Sequence, residues 1–321
     1  MPEAMDLRHA VPFSSAAELA FLIGGLGPSL NVIQLEVGKL TGTFLSQQVG
    51  GALLISIKTS RRLLIFGARQ TGVISVSFET QGLLTDHAAH GQAMDDPFTI
   101  AGIKPDLRDI YCQLTAGSAN LFALFSHADF DRFLRGCGQH RVADCLYLSN
   151  QKRLTASAFA ALREALVARL ERPGLFTAPD ADQNFFAVLL EALLSGHEDD
   201  FIPFKLTSRG EVVKNLLRWS FSDEFDPVGL DEVSQRVFTS RRTLIQACQD
   251  SFGLGPMELL RYIRLHRVHS ALADASIRMQ LGLEKVNEIA RHYGFLSRGH
   301  FARAYQEIYG CSPAATLVAS R

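Results

Sequence analysis

At 321 residues and 47% hydrophobic composition, the chain can bury a large core, and its length favours two domains. The formal net charge of −1 conceals an asymmetry: residues 205–321 carry 16 Lys+Arg against 12 Asp+Glu (+4), which leaves −5 for the first 204. That balance suits a nucleic-acid partner for the last third only. The lack of any run of ~18 uncharged apolar residues, and of an apolar leader in MPEAMDLRHAVPF, argues against membrane association and secretion.

Five cysteines (Cys112, Cys137, Cys145, Cys248 and Cys311) show no CxxC spacing. They read as reduced thiols of a cytoplasmic protein, with no zinc cluster and no cofactor expected.

In chain order, residues 15–26 predict a short leading helix. From about 30 to 126 the texture is β-rich, with runs at 32–37, 51–58, 62–66, 72–78, 98–103 and 120–126 broken by Gly, Asp or Pro, a spacing that suits an antiparallel sandwich or barrel. Residues 79–97 read as loop. Helical periodicity then begins at 127–135. Residues 155–171 line up Phe159, Leu162, Leu166 and Leu170, and 182–194 line up Phe185, Phe186, Leu189, Leu190 and Leu193. These two stripes must pack on the β domain or form a dimer seam. The polar stretch 197–209, with Pro203, reads as a linker. Helices are then expected at 210–221, 229–237, 241–252, 256–273, 285–293, 298–309 and from 313.

The C-terminal part contains an internal duplication. Ser240, Arg241, Leu244, Cys248, Phe252, Gly253 and Pro256 recur 57 residues later as Ser297, Arg298, Phe301, Tyr305, Tyr309, Gly310 and Pro313. Leu230, Val233 and Val237 recur 56 residues later as Val286, Ile289 and Tyr293, so a one-residue length difference falls in the turn between. Each copy has helix-turn-helix logic: a short helix, a tight turn in which Gly294 can take the left-handed conformation, and Ser240 or Ser297 placed as N-cap. A second helix follows, closed by Gly253 or Gly310, and Pro256 or Pro313 opens the next one. The polar edges are Ser240, Arg241, Arg242, Thr243 and Gln246 in the first copy, and Arg298, His300 and Arg303 in the second. Such an edge fits a major groove, where arginine pairs with guanine and glutamine with adenine. The helix 256–273 would be roughly 27 Å long at 1.5 Å per residue, a rod able to hold two such edges near successive grooves about 34 Å apart. Its Arg261, Arg264 and Arg267 read as phosphate contacts or as structural partners, for example of Glu258.

Over about 225–318 the chain resembles the AraC family of transcription regulators. The resemblance is carried by IARHYGFLSRGHFARAYQEIYGCSP (289–313) and by SRRTLIQACQDSFGLGPMELLRYIRLHRVHSAL (240–272). It implies base or backbone contacts from Arg241, Arg242, Ile245 and Gln246, and from Arg298, Gly299, His300 and Arg303. Phe238 stands where the first turn usually has glycine, and Ser234 where the preceding helix usually has alanine. Ile245 points to contact with a thymine methyl, while Gly299 and Ala302 leave the second unit few base-reading side chains. The 274–284 connector and the Gly-His of the second helix look somewhat like those of the ethanolamine-operon regulators within the family. The resemblance further implies a regulator, activator or repressor, that works with RNA polymerase on double-stranded DNA as a homodimer, its N-terminal domain taking a small-molecule effector, dimerising, or both.

The expected fold is α+β. An N-terminal β-rich sandwich or barrel with flanking helices (1–196) and a linker (197–209) precede an all-α DNA-binding domain of two helix-turn-helix units joined by a long helix (210–321). Enzymatic readings fare poorly: GxSxG, P-loop and strand-turn-helix GxGxxG patterns are absent, and within the β-rich N-terminal part His87 with His90 is the only close histidine pair, without an evident third ligand. A non-enzymatic protein is expected.

Overall fold

The protein's structure, a computed structural model, describes residues 7–27, 30–81, 88–94, 96–175, 181–222 and 225–320. The first part runs β1 (Leu7–Phe13), α1 (Ala16–Gly24), β2 (Leu30–Gln34), β3 (Gly42–Val49), β4 (Ala52–Thr59), β5 (Leu63–Ala68), β6 (Val73–Gln81), β7 (Ala88–Ala89), β8 (Gln92–Ala93), β9 (Thr99–Ala101), β10 (Asp109–Leu114) and β11 (Ala119–Ser126). It continues with α2 (His127–Gly136), α3 (His140–Leu148), β12 (Ser149–Arg153), α4 (Ala156–Glu171), α5 (Ala181–Leu194) and β13 (Phe201–Pro203). Two antiparallel sheets result. One has the order β1-β3-β4-β11-β6-β9-β12-β13, the other β2-β5-β10-β7-β8.

The two-residue period of a strand decides what each sheet face meets. Leu63 and Ile65 of β5 join Val32, Phe44, Ile55, Ile57 and Leu114 in the core between the sheets. In β11, Leu121, Ala123 and Phe125 join the opposite side, against α2–α5. There the stripes of α4 (Phe159, Leu162, Leu166, Leu170) and α5 (Phe185, Phe186, Leu189, Leu190, Leu193) are buried on their own sheet. A dimer seam made of those stripes would have to dismantle this layer.

The outer face of the second sheet is equally apolar, and the helical C-terminal part covers it. Ile33, Leu35, Leu64, Phe66 and Tyr111 share one core with Val213, Leu216 and Leu217, with Phe252, and with Leu259 and Ile263. Phe66 stacks on Phe221 with ring centroids 5.7 Å apart. Polar ties fix the seam. Asp109 pairs with Lys214 at 3.1 Å and with Arg218 at 2.6 Å, and the Gln113 amide donates to the Ser251 carbonyl at 2.8 Å. The layers therefore stack as helices, sheet, sheet, helices.

The C-terminal helices are α6 (Ser208–Phe221), α7 (Leu230–Arg236), α8 (Arg241–Phe252), α9 (Pro256–Ala273), α10 (Ala275–Leu281), α11 (Val286–His292), α12 (Arg298–Tyr309) and α13 (Pro313–Ala319). Along α9, Leu259, Leu260, Tyr262, Ile263, Leu265, His266, Val268, His269, Ala271 and Leu272 are all buried. The rod is thus the spine of the helical part as well as a spacer.

Two sequence expectations need correction, and one helix went unpredicted. Residues 79–97 are not wholly loop, since β6 runs on to Gln81 and the short β7 and β8 pair beyond it; His87 lies outside the described residues. The stretch 197–209 is not a free linker, because Phe201–Pro203 pairs with β12 and Phe201 is buried. The 274–284 connector holds a helix, capped by Asp274 and closed by the left-handed Gly282. The overlooked strands β3 and β10 bury polar residues (Ser46, Gln47, Gln113), which breaks the apolar signature, and β1 carries Pro12, as an edge strand can. Cys112 and Cys248 are buried, Cys145 and Cys311 half-buried and Cys137 exposed, all as free thiols.

Candidate nucleic-acid interface

Both helix-turn-helix units are built as the duplication requires. Val233 and Val237 in the first, and Ile289 and Tyr293 in the second, are buried against the rod's core. The turns share the same backbone bonds: Phe238 N–H to Gln235 and Thr239 N–H to Ser234 in one, Gly294 N–H to Arg291 and Phe295 N–H to Ala290 in the other. Phe238 and Gly294 are thus equivalent, and both are left-handed, at φ 53° and 83°. Glycine is required at 294 twice over, by φ and because a Cβ there would fall 2.3 Å from the Pro227 side chain. Phe238 takes the same conformation with its side chain 94% exposed. The second turn is one residue longer before its serine, as the change of offset predicts.

In α8, the Ser240 hydroxyl caps the helix by accepting from Thr243 N–H at 3.1 Å, and the two hydroxyls lie 2.8 Å apart. Thr243 is therefore a half-buried part of the cap. Arg241, Arg242, Ile245 and Gln246 are exposed along the same N-terminal half. Arg241 is paired with Asp231, and Gln246 donates to Asp250 at 2.7 Å. That hydrogen bond, with one from Arg209, holds the Asp250 carboxyl below its ordinary pKa. Among the described residues, Arg242 has no hydrogen bond or ion pair to another side chain. In α12, Ser297 stands at the N-cap but its side chain makes no capping bond, contrary to expectation. Arg298, Gly299, His300 and Arg303 are exposed, and Arg303 meets Glu307 at 3.3 Å. Gly253 and Gly310 close the two helices in the left-handed conformation.

The two predicted sets thus lie at the outward N-terminal halves of α8 and α12, with α9 between them in sequence. Within the second set, Ser297, Gly299, His300 and Arg303 come together on one cleft of about 590 Å³. Its other wall belongs to the rod and includes Arg261 and Arg264. The rod's third arginine is structural: Arg267 donates to the Ser220 and Ser222 carbonyls and lies over the rings of Phe225 and Tyr293. Glu258 forms no ion pair with any of the three among the described residues. His269 ties the rod to α12, stacking on Tyr309 at 4.0 Å with its Nδ1 2.6 Å from the Tyr305 hydroxyl. Burial lowers that imidazole to a pKa of about 4, so it is neutral at pH 7. The N-terminal part also reaches α12, where Gly38 N–H donates to the Glu307 carbonyl at 2.8 Å. The carboxylates Asp231, Asp250 and Glu307, which hold three predicted contact side chains, were missed in the sequence; for Asp250 and Glu307 the i+4 spacing from Gln246 and Arg303 was the available signal.

A family model described as a helix-turn-helix domain matches residues 233–318. The C-terminal region is a helix-turn-helix domain of the AraC type. The chain is 35% identical over 91 residues to a probable thc operon regulatory protein of Rhodococcus erythropolis, covering 28% of this chain and 26% of that one. It is 26% identical over 172 residues to the HTH-type transcriptional regulator ArgR of Pseudomonas aeruginosa, covering 52% and 49%. These matches span about a quarter to a half of the relatives' own length. Among solved structures, a probable AraC family transcriptional regulator from Rhodopseudomonas palustris matches at 27% identity and a TM-score of 0.30, over 34% of this chain and 97% of that one. No helix among the described residues is long and apolar enough to cross a membrane.

Proposed function

We propose that the protein is a sequence-specific transcription regulator that reads double-stranded DNA through α8 and α12. Residues 210–321 then act as the DNA-binding part, and the β-rich part serves to take a small-molecule effector or to pair two copies. The observation that carries this reading is the pair of outward edges. Two copies of one supersecondary unit, clamped on a buried rod, leave Arg241, Arg242, Ile245 and Gln246 on one helix and Arg298, Gly299, His300 and Arg303 on the other exposed to solvent. Two basic edges repeated in register on packed, capped helices are hard to explain as chance surface chemistry. Ile245, 43% exposed, suits apolar contact with a thymine methyl. A homodimer and contact with RNA polymerase belong to the same reading.

The test uses the full chain and duplexes selected from a random pool by the wild-type protein. Arg242→Ala and Arg298→Ala should each weaken binding by about 1–3 kcal/mol, while the melting temperature falls by no more than about 2 °C because neither side chain is packed. If both variants bind as wild type does, α8 and α12 are not the recognition helices.

A further inference from the structure

The cleft between the rod and α12 is strongly unbalanced in charge. Arg261, Arg264, His300 and Arg303 line it, and Glu307, its one acidic lining residue, is already engaged by Arg303. Among the described residues no carboxylate pairs with Arg261 or Arg264. The Arg264 Nε reaches only the Leu260 carbonyl, at 3.4 Å, and its guanidinium lies over the Phe295 ring at 5.2 Å. The ring accounts for how the side chain packs. It does not compensate two neighbouring cations, one of them more than half desolvated. Burial, and then the charge of Arg261, lowers the Arg264 pKa. A desolvated guanidinium without a counter-ion is costly to fold, and it gains most from an anion delivered in a forked geometry.

The cleft opens on the edge that holds Ser297, Gly299 and His300, all exposed, and an added Cβ at Gly299 would meet nothing within 4 Å. An anion lying along that edge can enter without displacing protein. A recognition helix in a major groove is flanked by the sugar–phosphate backbone, to which half to two-thirds of protein–DNA hydrogen bonds go. We propose that Arg261 and Arg264 of the connecting helix, with His300 and Arg303 opposite, hold a DNA backbone phosphate beside the groove that α12 enters. The rod then grips DNA as well as spacing the two units. This rests on the reading of α12 as a DNA-contacting helix, and for Arg261 and Arg264 it chooses between the two roles, phosphate contact or structural partner, that the sequence left open.

The experiment compares full-length wild type with Arg261→Gln, Arg264→Gln and Arg298→Ala on the selected duplex and on single-base variants of it, across a salt series. Arg261→Gln should lower affinity about 5- to 10-fold, as loss of one charge-assisted contact does. It should reduce the slope of log affinity against log salt by about 0.9, the signature of one phosphate, and leave the ranking of the base variants unchanged. Unchanged affinity and slope, with Arg298→Ala still defective, would overturn the phosphate seat and leave the recognition helix standing. A defect in neither variant would overturn both. A changed ranking would make Arg261 a base reader and sink the proposal. So would inorganic phosphate raising the wild-type melting temperature but not that of Arg261→Gln, with DNA affinity equal in the two, since the cleft would then hold a free anion. If Arg264→Gln fails to fold, ethylation interference decides: one ethylated phosphate beside the α12 contact should block wild type and be tolerated by Arg261→Gln.

Discussion

At the scale of single residues, the two turns do the same job with different chemistry. Phe238 holds a left-handed conformation that costs a non-glycine residue roughly 1–2 kcal/mol, and its ring packs on little. Phe238→Gly should therefore raise unfolding stability by about 0.5–1 kcal/mol after the flexibility of glycine is set against the relieved strain; urea denaturation measures it, and a loss would mean the ring packs after all. The serines offer a second contrast. Ser240 caps α8, so Ser240→Ala should cost about 1 kcal/mol. Ser297 makes no capping bond, so Ser297→Ala should leave stability within about 0.5 kcal/mol of wild type. Equal losses at the two positions would contradict the geometry.

At the scale of elements, legibility followed the strength of local signals. Helices α8, α9 and α12 begin and end where predicted: an N-cap serine or N1 proline opens each, and a left-handed glycine closes α8 and α12. The duplication made the candidate site legible too: a repeat that keeps cap, turn and core positions leaves the outward faces as the candidates for contact. What stayed hidden were features that only tertiary packing creates. Strand β3 spells GTFLSQQV, in which Ser46 and Gln47 are buried. Strand β13 is three residues in a polar stretch and exists because β12 offers it an edge. The cleft of Arg261 and Arg264 likewise needs α9 and α12 in three dimensions, and spacing along the rod alone does not separate Arg264 from the structural Arg267.

At the scale of the whole molecule, acid sensitivity is built in. Burial lowers His90 and His266 to pKa values of about 3, and His269 to about 4, against 6.5 for a free imidazole. The unfolded chain therefore binds more protons than the native one between pH 6.5 and 4, so stability falls on acidification, by up to about 1.4 kcal/mol per pH unit for each histidine. Thermal melts from pH 7 to pH 5 should show the midpoint falling, and a flat profile would mean these rings are accessible in the native state. Asp109 adds a step at lower pH. Burial works to raise its pKa, but hydrogen bonds and charge from Lys214 and Arg218 outweigh it and hold the carboxyl below 3.8. That seam weakens only as pH falls through this depressed value.

The shared core makes a further prediction. An excised 205–321 fragment should still bind DNA weakly and with steep salt dependence. It should also melt below the full chain and bind a hydrophobic dye, because Phe221 and Phe252 lose Phe66 and Tyr111. A fragment as stable as its parent would show that the two parts are independent.

That same seam has a consequence for how the chain is made. On the ribosome the second sheet is complete once β10 has emerged, yet Ile33, Leu64, Phe66 and Tyr111 have no cover until α6, α8 and α9 follow, about 90 to 160 residues and several seconds of synthesis later. Through that interval the nascent protein carries a wet, greasy platform, which makes it a client for a holding chaperone and a hazard to neighbouring chains whenever translation stalls before the last third.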